Sequence, residues 1–210
     1  MSDPAGPPVR IAILGSGAGT TAAAVLDATR TSADADVCLV ISNNSGAGVL
    51  EHARTRGVAT LHLSGRTHPD AGELDAAMAE ALAAGGTELV VLAGYMKKLG
   101  PRVLAEHAGR VVNTHPALLP AYGGTGMYGD RVHAAVLADG ATVTGASVHV
   151  VTAEYDEGPV LAQRQVPVEP DDDVESLRTR VQAAEKELLV AWLLGYCAAE
   201  RRGSTDDAGR

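Results

Sequence analysis

Three features of the sequence predict an α/β, Rossmann-like fold. Short apolar runs alternate with amphipathic ones, a glycine-rich turn follows the first apolar run, and a long helical pattern closes the chain. Apolar strands separated by helices imply a mostly parallel sheet with helices on both faces. Ligands then bind at the carboxyl ends of the strands.

The elements follow in order. VRIAILGS reads as a buried strand and TTAAAVLDATR as the helix after it; DVCLVISN is a second strand, followed by a helix over AGVLEHARTR. VATLHL is a third strand, AGELDAAMAEALAAGG a helix stopped by glycines, and ELVVLAG a fourth strand. GPRVLAEHAG starts a helix with proline in its first turn, and GRVVNTHP is a fifth strand. GASVHVVTAEYDEGPVLAQRQVPV alternates with a period of two around turn residues, which predicts two further strands joined by a loop. A long helix then runs to residue 202, with Asp171, Asp172 or Asp173 as its cap and Val174, Leu177, Val181, Ala184, Leu188 and Trp192 near one face. Residues 9–202 are expected to form a single domain, after a disordered Pro/Gly-rich lead-in at 1–8 and before a flexible tail at 203–210.

Composition excludes several functions. Of 210 residues, 46% are hydrophobic, enough for a globular core, and with no Phe that core is built from Val, Leu, Ile and Ala. The net charge of -9 and the lack of a Lys/Arg cluster argue against a nucleic-acid surface. An anionic small molecule remains compatible, because a helix N-terminus binds phosphate without net positive charge. Cys38 and Cys197 lie far apart in apolar runs and read as free thiols in a reducing compartment. No run reaches membrane-spanning length and the N-terminus has no signal-like core, so a cytoplasmic location with no membrane contact is expected. The histidines show no close metal-ligand spacing, and no metal is expected; His149 reads as a strand residue.

Three stretches carry chemistry. GSGAGTTA, residues 15–22, joins the first strand to the first helix, where glycines permit a tight turn and helix N–H groups can hold an anion. As a dinucleotide fingerprint it is incomplete: position 20 is Thr, and no acidic residue ends the second strand. Phosphate binding is the better reading, beside a plain tight turn. VVNTHPALLP places Asn113 and His115 on one face of a strand at its carboxyl end. An amide donor beside an imidazole suits an oxyanion. TAEYDEGPV, residues 152–160, is either a solvated turn or a loop that brings Asp156 to His115 as its charge partner.

NTHPALLP, followed later by GASVHVVTAEYDEGPV and preceded in order by GSGAGTTA and VLAGYMKKL, resembles the formyltransferase family that uses 10-formyltetrahydrofolate. The resemblance spans residues 9–195 and is nearest to the family's small purine-pathway members. It implies transfer of a formyl group from that cosubstrate to the amine of glycinamide ribonucleotide, through a tetrahedral intermediate. The partners it implies are small molecules, and it is compatible with a homodimer. By position, Asn113, His115 and Asp156 match the family's catalytic trio. Met96, Lys97, Lys98 and Leu99, with Asn113 and with Thr152, Ala153, Glu154, Tyr155 and Asp156, match the folate pocket. Gly19, Thr20 and Thr21 match the loop that receives the acceptor's phosphate, and Gln182 and Glu185 the acceptor side of the last helix.

The acceptor side departs from the pattern. Thr21 stands where Asn is common, Ala121 where Lys is common, and GGTGMYGDRVHAAV exceeds the usual short link. Tyr128 and His133 in that stretch either line the acceptor site or pack the loop. These departures keep open a related enzyme that formylates another amine, such as an amino sugar or a secondary metabolite. A non-catalytic nucleotide binder would explain the glycine loop but not the Asn113–His115–Asp156 set.

Overall fold

The structure is a computed structural model, and it describes residues 6–207. Its elements are β1 (Val9–Leu14), α1 (Thr20–Thr29), β2 (Ala35–Ser42), α2 (Gly48–Arg54), β3 (Ala59–His62), α3 (Ala71–Ala84), β4 (Leu89–Leu92), α4 (Pro101–Glu106), β5 (Val111–His115), α5 (Asp130–Ala138), β6 (Val143–Val150), β7 (Val160–Pro167) and α6 (Val174–Asp207). The strands form one seven-stranded sheet in the order β3-β2-β1-β4-β5-β6-β7. The described residues gather into two compact units, one running to Arg110 and resuming at Val190, the other Val111–Leu189.

In the first unit β1 pairs in parallel with β2 and β4, and β2 with β3. These strands are apolar on both faces, as the sequence pattern requires: Ile11, Ile13 and Leu14 of β1 and Val90 and Val91 of β4 are fully buried. Each such side chain removed from water contributes about 1.5–3 kcal/mol. Asp70 caps α3 by accepting the Glu73 N–H at 2.9 Å. Pro101 opens α4, and the buried Asp75 carboxylate accepts the Arg102 and Val103 N–H groups at 2.8 and 3.1 Å.

In the second unit β5 and β6 pair antiparallel, as do β6 and β7. Val136 of α5, Val166 of β7, and Leu177 and Val181 of α6 form its buried cluster, against which Tyr122 packs. Asp173 is the cap of α6, accepting the Ser176 N–H at 2.8 Å. Asp172 is taken by the Arg180 guanidinium, which holds its carboxyl well below the usual carboxylate range.

The structure differs from the sequence reading in two places. Helix α5 has no counterpart in that reading: it is short, and a glycine-rich run leads into it. The last helix continues to Asp207, past residue 202 where a flexible tail was expected to begin. Before that point, the buried Arg201 guanidinium donates to the carbonyls of Gly6 and Ala33 and to Asp34. Gly6, in the expected lead-in, is thereby held; residues 1–5 and 208–210, the rest of the two expected flexible ends, lie outside the described residues.

Candidate active site

Strand β5 ends in Asn113, Thr114 and His115, and alternation sends Asn113 and His115 to one face and Thr114 to the other. The antiparallel register sets Asn113 opposite His149 and His115 opposite Ser147 on β6. Directly opposed residues share a face. His149 thereby joins the pair, and its buried ring comes within 3.3 Å of the Asn113 amide, Nε2 to Nδ2.

The ring nitrogens can be assigned from their partners. His149 Nδ1–H donates to the Val150 carbonyl at 3.0 Å, which leaves Nε2 to accept from Asn113. Burial pushes the His149 pKa down, consistent with a neutral ring. One Asn113 N–H is thus spent on His149 and the second is left for another acceptor. His115 Nε2–H donates to the Tyr122 carbonyl at 2.7 Å, so its Nδ1 is the nitrogen facing Asp156 Oδ2, 3.4 Å away.

Asp156 reaches both histidines from the loop between β6 and β7. Its Oδ1 lies 3.5 Å from His149 Nε2, too long for a good hydrogen bond, and its Oδ2 accepts the Gly124 N–H at 3.0 Å. Asp156 has φ 58° and Tyr122 φ 54°, left-handed conformations that non-glycine residues adopt at a cost of about 1–2 kcal/mol each. Both strained residues touch His115, one by its carbonyl and one by its carboxylate. Such strain persists only where the surroundings enforce it. A cavity of about 440 Å³ opens beside the cluster, lined by Leu119, Pro120, Gly123, Gly124, Tyr155 and Asp156 among others.

The structure therefore brings Asn113, His115 and Asp156 together; of the two readings of the 152–160 loop it is the one that carries Asp156 to His115. It adds His149 and the Tyr122 carbonyl, which that reading did not assign. The signal for His149 was present: once the two strands are paired antiparallel in register, VHV must face VNT. Thr152, Ala153, Glu154 and Tyr155 are exposed along the same loop that carries Asp156.

On the opposite face of β5, the Thr114 hydroxyl donates to the Glu185 carboxylate at 2.5 Å. Burial pushes the Glu185 pKa up. Glu185 is therefore no solvated helix residue, whereas Gln182, one turn earlier on α6, is exposed. His133 is a buried residue of α5, and Tyr128 stands 48% exposed with the Arg131 guanidinium 4.9 Å from its ring centre. Ala121 is exposed.

The glycine loop belongs to the first unit and has its own geometry. Gly19 precedes α1 at φ 78°, and a Cβ there would lie 2.5 Å from the Val49 Cα. Gly48 similarly meets the Ala18 carbonyl, so the loop and α2 pack backbone to backbone. No acidic residue occupies the first turn of α1, where Thr20 and Thr21 stand. Its free N–H groups and positive dipole end suit an anion. Ser16 Oγ–H donates to Asn43 at 2.5 Å and accepts the Met96 N–H at 2.8 Å, tying the glycine loop to the loop after β4. Of that second loop Met96, Lys97 and Lys98 are exposed, and Leu99 is buried. Among the described residues no helix is long and apolar enough to cross a membrane, and no group of three or more His, Cys, Asp or Glu could hold a metal.

Comparison with known proteins bears on the chemistry. A family model described as formyl transferase matches residues 9–193. The chain is 41% identical over 189 residues to phosphoribosylglycinamide formyltransferase of Mycobacterium tuberculosis, covering 90% of this chain and 85% of that one. The crystal structure of glycinamide ribonucleotide transformylase 1 from Symbiobacterium toebii superposes with TM-score 0.84 at 39% identity, over 91% of this chain and 89% of that one. Phosphoribosylglycinamide formyltransferase from Brucella melitensis gives TM-score 0.83 at 34% identity, over 91% and 96%.

Proposed function

Because the chain belongs to the formyl transferase family, we propose that it transfers the formyl group of 10-formyltetrahydrofolate to the amine of glycinamide ribonucleotide, a step of purine biosynthesis. The observation that carries this reading is the convergence of Asn113, His115 and Asp156 at the carboxyl end of β5. Relatives named for the same acceptor span most of this chain, which supports that acceptor over another amine.

The acceptor's amine adds to the formyl carbon, and the carbonyl oxygen becomes an oxyanion. The Asn113 N–H that His149 leaves unused donates to this oxygen. His115 supplies a second donor. Its Nε2–H is fixed on Tyr122, and its Nδ1–H, held only loosely by Asp156 at 3.4 Å, is left for the oxyanion. The Asp156 carboxylate balances the imidazolium charge. A proton then leaves the attacking nitrogen and reaches N10 of the folate as the C–N10 bond breaks, giving the formamide and tetrahydrofolate.

Gly19, Thr20 and Thr21 at the start of α1 would take the acceptor's phosphate. On resemblance alone, Met96, Lys97, Lys98 and Leu99, and separately Thr152, Ala153, Glu154 and Tyr155, are assigned to the folate, and Gln182 and Glu185 to the acceptor. The reaction needs no metal. A cytoplasmic setting fits the buried free thiol of Cys197, whose pKa burial pushes up to about 12. The test is formyl transfer from 10-formyltetrahydrofolate to glycinamide ribonucleotide, followed by tetrahydrofolate release and product mass. Turnover with formylated product is expected. Folate binding without turnover on this acceptor overturns the assignment.

A further inference from the structure

The segment after His115 is held by side chains. Ser147, fully buried on β6 opposite His115, donates its hydroxyl proton to the Ala117 carbonyl at 2.7 Å and accepts the Leu119 N–H at 3.0 Å. Gln163 of β7 completes the arrangement, since its Nε2 donates to the Leu119 carbonyl and to Ser147 Oγ, both at 2.9 Å. The Ser147 oxygen then has its one proton and both lone pairs engaged. Leu119, itself buried, has both its backbone polar groups tied to side chains of the two strands.

Three residues beyond Leu119 comes the Tyr122 carbonyl that holds His115 Nε2, and two beyond that the Gly124 N–H that holds Asp156 Oδ2. The turn between is closed by the Ala121 N–H on the Leu118 carbonyl. Every described hydrogen bond from this loop to His115 and Asp156 thus hangs from a segment whose anchor is Ser147 and Gln163. Gln163 touches neither histidine nor Asp156, and it lies exposed on the edge strand.

We propose that Gln163 is a positioning residue of the formyl-transfer site, setting the orientation of the His115 ring through Leu119 and Tyr122. Ser147 is its relay. The inference rests on the reading of His115 as the oxyanion donor, and it assigns to Gln163 the task of keeping Nε2–H on Tyr122 so that Nδ1 faces the reacting oxygen. A displacement of about 1 Å at a reacting group costs up to a hundredfold in rate.

The test compares Gln163→Leu, which keeps bulk and removes both donors, with Gln163→Asn, a conservative change that keeps the amide on a shorter arm. Gln165→Leu, two residues along the same face of β7, is the control. Because position 163 is exposed, the variants fold, which thermal melting verifies. Gln163→Leu is expected to lower kcat about tenfold or more with little change in either KM, and to move the pH profile of kcat. Gln163→Asn recovers part of the loss, and Gln165→Leu matches the parent. Independently of activity, nitrogen-15 NMR of the histidine rings in the parent should show a hydrogen-bonded His115 Nε2–H, and Gln163→Leu should weaken that signal. A Gln163→Leu protein with parental kcat, pH profile and His115 signal overturns the proposal. If the parent itself transfers no formyl group while the ring signal still responds to Gln163→Leu, the positioning stands and the assigned reaction falls.

Discussion

Asn113 and His149 face each other across β5 and β6, with the amide nitrogen 3.3 Å from the imidazole Nε2. The contact fixes which way the amide points, because a ring whose Nδ1–H is committed to the Val150 carbonyl offers Nε2 only as an acceptor. Replacing His149 with Leu, which has no acceptor, leaves the Asn113 amide unoriented, and kcat is expected to fall about ten- to a hundredfold. Asn113→Ala removes the donor itself and costs about a hundred- to a thousandfold. Two residues acting through one hydrogen bond are not additive, so the double variant should be no slower than Asn113→Ala alone. Steady-state kcat for the four proteins decides this; additive losses would show that His149 acts elsewhere.

Asp156 combines a left-handed backbone with two tasks, a hydrogen bond to Gly124 and a charge beside His115. Asn separates them, since it tolerates φ above zero and can still accept the Gly124 N–H while losing the charge. Asp156→Asn should melt within a few degrees of the parent and lose about a hundred- to ten-thousandfold in kcat. Asp156→Ala should lose activity and stability together. Equal melting of the Asn and Ala variants would mean that the Gly124 bond holds nothing.

Burial lowers the pKa of His149 and of His133. Between each lowered value and the ordinary value of about 6.5, the unfolded chain binds a proton that the native chain refuses. Stability is therefore full above about pH 6.5 and declines as the pH falls through that window. Urea midpoints taken across the window should fall toward acid, and His149→Gln should flatten the decline. Glu185 has the opposite sign. Its raised pKa favours the neutral carboxyl in the native state, so that contribution is present at low pH and lost as pH rises. Glu185→Gln, which keeps an acceptor for Thr114, removes that loss.

Much of this was legible in the sequence because local pattern and global role coincide. The continuous apolar runs of β1, β2 and β4 have one stable use, a sheet buried on both faces, and the Asn113–His115 spacing fixes a common face wherever the strand lies. Asp156 was legible only through resemblance, since a loop carboxylate next to a turn glycine is ordinarily solvated. His149 was legible only once the strands are paired, because its partner is set by register, which joins residues far apart in sequence. The Tyr122 carbonyl was less visible still, since any residue has one and only its left-handed backbone turns this one to His115. Helix α5 gave no signal because its glycine-rich lead-in masks its start.

The glycine loop offers a paired test of shape against chemistry. A Cβ at Gly17 meets nothing within 4 Å, whereas one at Gly19 meets the Val49 backbone at 2.5 Å and must also adopt φ 78°. Gly17→Ala should therefore fold and turn over like the parent. Gly19→Ala forces apart the loop and α2, at a cost of about 1–3 kcal/mol for the strained backbone alone. If the start of α1 takes the acceptor's phosphate, the KM for glycinamide ribonucleotide rises about tenfold or more while that for the folate stays near the parent's. Thr21→Asn, which supplies the amide common in the family, should change the acceptor KM much less, because backbone N–H groups do most of the holding. Gly19→Ala that melts lower but keeps the parental acceptor KM would place the phosphate elsewhere.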